Sequence, residues 1–398
     1  MSGMAENAVR HTTAAGLDLH RAIGGAETCR GLSTAFYARV QQDPLLRPLF
    51  PGKTLRCAVE EFAAFLAQFF GGPPENAQRR WLLSLRESHL RFRIGPAERA
   101  AWISNMVKAL NDIQLEETVR AALRDFFERS SAYVANIEEA PADRKTSAIG
   151  PGCPIHQEIA RRWDAQREID GIVAAVRAGE AERAVTLAES PAVRACFDRN
   201  RSLVAGVLRV MIRSGNEAML RYVRDRIAAD PALAQEHYAG RTLLHEASAQ
   251  GNPTLVKLLL DVGADPNDLD GGGHTPLYSV ANECSNSGAG TVVRALAARG
   301  ANVNADDGVK RCTALHMAAR RGNVAAAEAL LDWGADIEAR DSLGETPLRR
   351  AVNCGKIEVA SLLLNRGADV HSKGSKSLTP LSAARTTAMK QLLQSRIG

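Results

Sequence analysis

Residues able to bind a metal or move a proton are scattered thinly along the 398 positions of this chain. The nine histidines are His11, His20, His89, His156, His237, His245, His274, His316 and His371, and none belongs to an H-E-x-x-H pair on one helix face. The seven cysteines (Cys29, Cys57, Cys153, Cys196, Cys284, Cys312, Cys354) are odd in number and show no C-x-x-C spacing. They read as reduced thiols rather than a disulfide framework. Cys153-Pro-Ile-His156 offers two zinc ligands, but no second pair completes a tetrahedral site. Gly288-Ala-Gly290-Thr-Val-Val293 imitates a dinucleotide loop without its third glycine or a preceding strand. Neither G-x-x-x-x-G-K-[ST] nor G-x-S-x-G occurs, so phosphate and hydrolase chemistry have no candidate residues. What remains is single residues, and a lone histidine, tyrosine or tryptophan takes its meaning from the element that carries it.

The elements come from composition and pattern. At about 100–200 residues per domain, the length predicts two or three domains. Hydrophobic residues make up 45% and charged residues 24%, both near globular averages. The net charge of +5 is spread among interleaved acids and bases, with no run of five like charges, which gives no electrostatic footprint for nucleic acid or membrane. The sequence MSGMAENAVR carries no apolar signal segment, and no stretch approaches 18 uninterrupted apolar residues. A cytoplasmic location is the expectation.

Internal repetition organises the C-terminal half. Thr242, Thr275, Thr313, Thr346 and Thr379 recur at spacings of 33, 38, 33 and 33, each opening a short helix, a turn and a second helix such as VAAAEALLDWGAD. Stripes such as Leu258-Leu259-Leu260 and Leu362-Leu363-Leu364 are too broad for one helix pair to bury, so neighbouring pairs must stack. Gly263, Gly300, Gly334 and Gly367 follow the second helices, where a left-handed residue caps open carbonyls. On these features Arg241 to Gly398 resembles the ankyrin repeats, which implies a solenoid of five repeats and a protein-interaction role for an unknown partner. Two departures are expected to carry partner-facing chemistry: the insertion in NECSNSGAG, and Arg349 where the family often has histidine. Upstream, IVAAVRAGEAERAVTLAE and LVAGVLRVMIRSGNEAMLRYVRDRI keep the rhythm without its signature, so residues 164–240 read as degenerate repeats. The Pro-, Gly-, Ser- and charge-rich stretch 138–163 reads as a linker.

From Leu17 to Asn136 apolar residues recur at helical spacing, and Gly24-Gly25 and Gly71-Gly72 fall at helix junctions. The order AFYARV, DPLLRPLFPG, EEFAAFLAQFFGGP, ESHLRFRIGPAERAAWISNM resembles the group II truncated globins, covering Phe36-Tyr37, Phe50-Pro51, Gly71-Gly72-Pro73, His89, Ile94, Glu98-Arg99 and Trp102. The chain as a whole is therefore expected to be all-α: an extension over 1–17, a truncated globin (a 2-on-2 helical sandwich) over 18–137, the linker, and the solenoid.

That resemblance implies a haem b cofactor with His89 as its axial iron ligand, a role that needs a neutral imidazole held by a hydrogen bond at its second nitrogen. It assigns Tyr37 and Trp102 as donors to the gas ligand and places Ala58 where many globins carry a distal histidine. Phe50, Phe62, Phe65, Leu66 and Phe92 are expected to wall the haem, with Ala58, Phe62 and Phe65 on one helix face. Phe62 stands where relatives carry a less bulky residue and should crowd the ligand. Glu61 replaces a basic residue that usually meets a propionate, which leaves Lys53, Arg56 or Arg93 for that task. Cys153-Pro154 matches the dipeptide of haem-regulatory motifs, but about 0.35 such pairs arise by chance from seven cysteines at ordinary proline usage, so it carries little weight. The expected function is binding of dioxygen, and also nitric oxide or carbon monoxide, joined to an interaction module. The alternatives are a haem enzyme that oxidises nitric oxide or reduces peroxide with an outside electron donor, and an interaction scaffold without haem.

Overall fold

A computed structural model describes residues 18–50, 54–72, 84–137, 153–374 and 378–397. The expected extension over 1–17, most of the expected linker, Pro51, Lys53 and Pro73 lie outside the described residues. Among the described residues there is no β-strand, only isolated bridges pairing Tyr238 with Arg241 and Asp306 with Thr313. The chain divides into two compact units, one comprising residues 1–175 and 183–199, the other 176–182 and 200–398.

In the first unit, α1 (Leu19–Ala22) turns through Gly24 and Gly25, at φ +93° and +71°, into α2 (Gly25–Val40). There follow α3 (Arg56–Phe69), α4 (Leu85–His89), α5 (Pro96–Asp112) and α6 (Glu117–Val134). Helix α2 packs on both α3 and α5, and α5 packs on α6, so two helix pairs enclose one core that includes Leu32, Phe36, Leu66, Met106, Leu110, Leu123 and Phe126. The Ser33 hydroxyl donates to the Val59 carbonyl at 2.7 Å, a side-chain bond that seats α2 against α3.

The compact unit runs past the boundary expected at 137. Helix α7 runs Pro154–Ala178, and its Ile159 and Trp163 are buried in that same core, 4% and 5% exposed. The Trp163 ring meets Phe126 at 5.8 Å and Tyr133 at 5.5 Å, both edge to face. The described end of the presumed linker is thus a helix held by apolar burial, and Phe126, Tyr133 and Trp163 add aromatic contact. The first degenerate repeat is likewise divided between the end of α7 and α8 (Ala181–Ala188), and residues 183–199, with α9 (Pro191–Phe197), fall in the first unit. His156, weighed above as half a zinc site, instead meets Asp125 at 2.9 Å.

The second unit stacks helix pairs. The second degenerate repeat forms α10 (Arg201–Ser214) and α11 (Glu217–Ala229). Five pairs follow: α12 (Leu243–Ala249) with α13 (Pro253–Asp261), α14 (Pro276–Glu283) with α15 (Ala289–Ala297), α16 (Ala314–Arg321) with α17 (Val324–Asp332), α18 (Pro347–Asn353) with α19 (Ile357–Asn365), and α20 (Pro380–Ala383) with α21 (Thr387–Gln394). First helices pack on first helices and second on second. Each recurring threonine is the N-cap of its first helix, accepting from the amide three residues on.

Histidines tie successive pairs together. His245 bonds Thr242 Oγ1 at 2.7 Å through Nδ1 and the next repeat's His274 carbonyl at 3.0 Å through Nε2; His316 repeats this with Thr313 at 2.9 Å and the Glu345 carbonyl at 3.0 Å. Burial pushes both imidazoles below their ordinary pKa, which keeps them neutral. Arg349 corrects the expectation of partner-facing chemistry. It is 2% exposed, its Nη1 reaches the Thr379 carbonyl at 2.7 Å, and its Nε pairs with Glu345 at 3.1 Å. Arginine therefore makes the inter-repeat bond that histidine makes elsewhere and brings its own counter-ion. Because each pair leans mainly on its neighbours, a fragment starting at Asn200 is expected to keep a helical circular dichroism spectrum and a cooperative thermal transition; a random-coil spectrum would show that this unit needs the residues before it.

Candidate functional site

The first unit contains a cavity of about 700 Å³ lined by α2, α3, α4, α5, α6, the segments after α2 and α4, and one residue of α7. That volume lies within the range of small-molecule and cofactor sites. Its walls are largely rings. His89, Phe92, Phe50 and Tyr37 follow one another at centroid separations of 6.1, 5.8 and 5.4 Å, and Tyr37 meets Phe62 at 6.1 Å. Trp102 and Phe62 both lean on Phe127, at 5.7 and 6.3 Å, and Phe62 stacks on Phe65 at 6.3 Å.

Sequence spacing explains which side chains arrive. On α3, Ala58, Glu61, Phe62 and Phe65 are three or four residues apart and all line the cavity. Leu66, expected there, does not: one residue further round the helix it turns into the core and is fully buried. His89, Tyr37, Trp102, Phe50, Ala58, Phe62, Phe65 and Phe92 all line the space.

His89 is held for one task. Its Nδ1 lies 2.7 Å from the Leu85 carbonyl and 2.9 Å from Ser88 Oγ. A carbonyl only accepts, so Nδ1 carries the proton and Nε2 keeps its lone pair. Burial lowers the imidazole pKa, with the Leu85 carbonyl opposing, so the ring stays neutral. Asn136 steadies the other end of α4, its Nδ2 donating to the carbonyls of His89 at 3.2 Å and Phe92 at 2.7 Å.

Across the ring wall, burial raises the Tyr37 phenol, the Glu61 carboxylate adds to this and Arg91 opposes it, so the hydroxyl stays protonated and can donate. Neither that hydroxyl nor the Trp102 indole N–H has a protein acceptor among the described residues; both are available to a guest in the cavity. Among cations at the lining, Arg30 pairs with Glu60, and Arg99 reaches Ser131 and the Glu128 carbonyl. Arg56 remains, together with Arg91, whose guanidinium lies 4.7 Å over the Phe92 ring. Arg93 is not part of the lining. Sequence reasoning missed Arg91, Asn136 and Gln166, a lining residue on α7.

A ring-walled cavity with a neutral imidazole, two donors and two guanidinium groups without an ion-pair partner among the described residues fits a haem. No described group of three His, Cys, Asp or Glu residues could bind a metal ion by itself, and no described helix is long and apolar enough to cross a membrane.

Comparison with known proteins agrees with this geometry. Residues 18–136 match the family described as bacterial-like globin, and residues 208–307 and 281–374 match ankyrin repeats. The chain is 34% identical over 116 residues to a group 2 truncated hemoglobin, YjbI, of Bacillus subtilis, covering 29% of this chain and 87% of that protein. It is 32% identical over 119 residues to group 2 truncated hemoglobin 3-1 of Lotus japonicus, covering 29% and 70%. In the repeats it is 38% identical over 112 residues to human ankyrin repeat and SOCS box protein 16, covering 28% of this chain but 24% of that protein.

Proposed function

Since this chain belongs to the group 2 truncated haemoglobins within the bacterial-like globin family, which implies a haem cofactor, and continues into ankyrin repeats, we propose that it binds dioxygen and related diatomic gases on haem b while its repeats dock a protein in the cytoplasm. The observation that carries this reading is the His89 imidazole, neutral and protonated on Nδ1, presented to an aromatic cavity that also holds the Tyr37 and Trp102 donors.

Haem, when bound, would supply a ferrous iron able to take up a small gas. His89 would hold the iron through Nε2, and the Leu85 carbonyl fixes its tautomer. Phe50, Phe62, Phe65 and Phe92 exclude water, and Ala58 leaves room beside them. Arg56 and Arg91, which line the cavity, would neutralise propionates. Tyr37 and Trp102 donate hydrogen bonds to the partial negative charge of a polar ligand. The test is the absorption spectrum of the purified protein in ferric, ferrous and carbon monoxide states: no Soret band, or one unchanged by carbon monoxide, would overturn the reading. Turnover of nitric oxide or peroxide with a supplied reductant would instead favour redox catalysis.

Each donor should contribute about 1 kcal/mol beyond an apolar wall, so Tyr37→Phe and Trp102→Phe should each accelerate dioxygen release roughly five-fold. Carbon monoxide, less polar when bound, should respond less. The double variant should be non-additive, because donors to one small ligand are coupled. Stopped-flow displacement of dioxygen by carbon monoxide measures this; equal release rates in wild type and both single variants would refute the donor roles and leave entry past Phe62 as the controlling step.

A further inference from the structure

Helix α4 is five residues long, too short to be stable alone, and the amides of its first turn have no partners within it. They find one in α7, beyond the residues that match the globin family. Asp170 accepts from the Leu85 amide at 3.0 Å and the Arg86 amide at 3.3 Å. It is 4% exposed, and Gln166 Nε2 on the same helix donates to it at 2.9 Å. Arg86 in turn lies over the Tyr133 ring, 5.7 Å from its centroid. A buried carboxylate is costly unless its oxygens are satisfied, and here donors from α4 and α7 converge on one. Leu85 is the hinge of the arrangement: its amide is held by Asp170 while its carbonyl holds His89 Nδ1 at 2.7 Å. The negative charge also lies at the positive end of the short helix that carries His89.

We propose that Asp170 is a positioning residue for His89, fixing the Leu85 peptide and through it the orientation of the imidazole presented to the haem. This rests on His89 as the axial ligand. It makes α7 part of the gas-binding apparatus, where the family match ends before it.

The experiment uses the full-length haem-loaded protein and reads the ferrous iron–histidine stretching band by resonance Raman spectroscopy. Asp170→Asn keeps the size of the side chain but replaces one of its two acceptor oxygens with an NH2, so one of the Leu85 and Arg86 amides loses its acceptor and faces a donor. The band is expected to broaden and shift, and haem transfer to an acceptor globin to quicken on the order of ten-fold, as when an outer partner of a metal-ligating histidine is lost. In His89→Gly supplied with imidazole the ligand is detached from the chain, so adding Asp170→Asn should leave its band in place. An unshifted band in Asp170→Asn, or the same shift with detached imidazole, would overturn the proposal. Persistence of the wild-type band in His89→Gly without imidazole would overturn the ligand assignment instead. If Asp170→Asn fails to fold, hydrogen exchange of the wild-type protein decides: the Leu85 and Arg86 amides should be protected, and loop-like exchange at both would sink the proposal.

Discussion

Replacing His89 with alanine is expected to abolish stoichiometric haem binding. None of the other described histidines lines the cavity, so no imidazole is near enough to substitute for it. Tyr37 is no replacement: an oxygen ligand would need the phenolate, and burial holds that phenol well above its ordinary pKa. The rings that wall the cavity can still trap a porphyrin by apolar contact, so the readout must separate trapping from ligation. Pyridine haemochrome content per chain gives the first, and the ferrous absorption spectrum gives the second. Circular dichroism checks that the helices survive, as they should, since His89 contacts Phe92 and its own helix and is not part of the apolar core. A full haem complement with an unchanged ferrous spectrum would sink the assignment.

The second large effect lies in the repeats. Arg349→Met removes one partner of an ion pair whose side chains are 3% and 5% exposed, leaving the buried Glu345 carboxylate with the Asn353 amide at 3.2 Å but without the Arg349 guanidinium. Removing one member of a buried pair costs about 3–5 kcal/mol, and the bond from Nη1 to the Thr379 carbonyl disappears with it. Methionine fills a similar apolar volume, so a cavity is not the main loss. Adding Glu345→Gln to Arg349→Met removes the stranded charge and should recover a good part of the stability. Urea unfolding of the single and double variants measures both, with the midpoint moving and the slope unchanged. A loss under about 1 kcal/mol for Arg349→Met would mean that solvent reaches Glu345 and that Arg349 does not lock the two repeats.

Much of this architecture is legible in the sequence, for a physical reason. The threonine caps, glycine turns and leucine stripes of the repeats are local, and each is written within a few consecutive residues. His89, Tyr37, Trp102 and the cavity-facing residues of α3 could be read because family resemblance and helical spacing act together. Leu66 was misplaced because it sits only one residue from Phe65, and one step around a helix separates the cavity from the core. Asp170, Asn136 and Arg91 were invisible, since each acts on a partner that only the fold brings near. Helix α7 was obscured by averaging: Pro, Gly and charge dominate the stretch before it, although Pro154 at the helix start and Ile155, Ile159 and Trp163 at four-residue spacing were there to be read. Arg349 looked like a site of partner chemistry because an exception to a repeat invites a functional reading, whereas its burial makes it a substitute of different charge.

The burial of Ile159 and Trp163 against Phe126 and Tyr133 bears on how such a protein can be taken apart and recombined. The globin family match stops at residue 136, but the apolar core draws on side chains beyond it. A gene fusion or a genetic graft cut at the edge of the globin match would carry most of the cavity but leave Gln166 and the outer aromatic cover behind, exposing Phe126 and Tyr133 to water and the chain to self-association. The smallest transferable cassette is therefore longer than the segment that descent identifies.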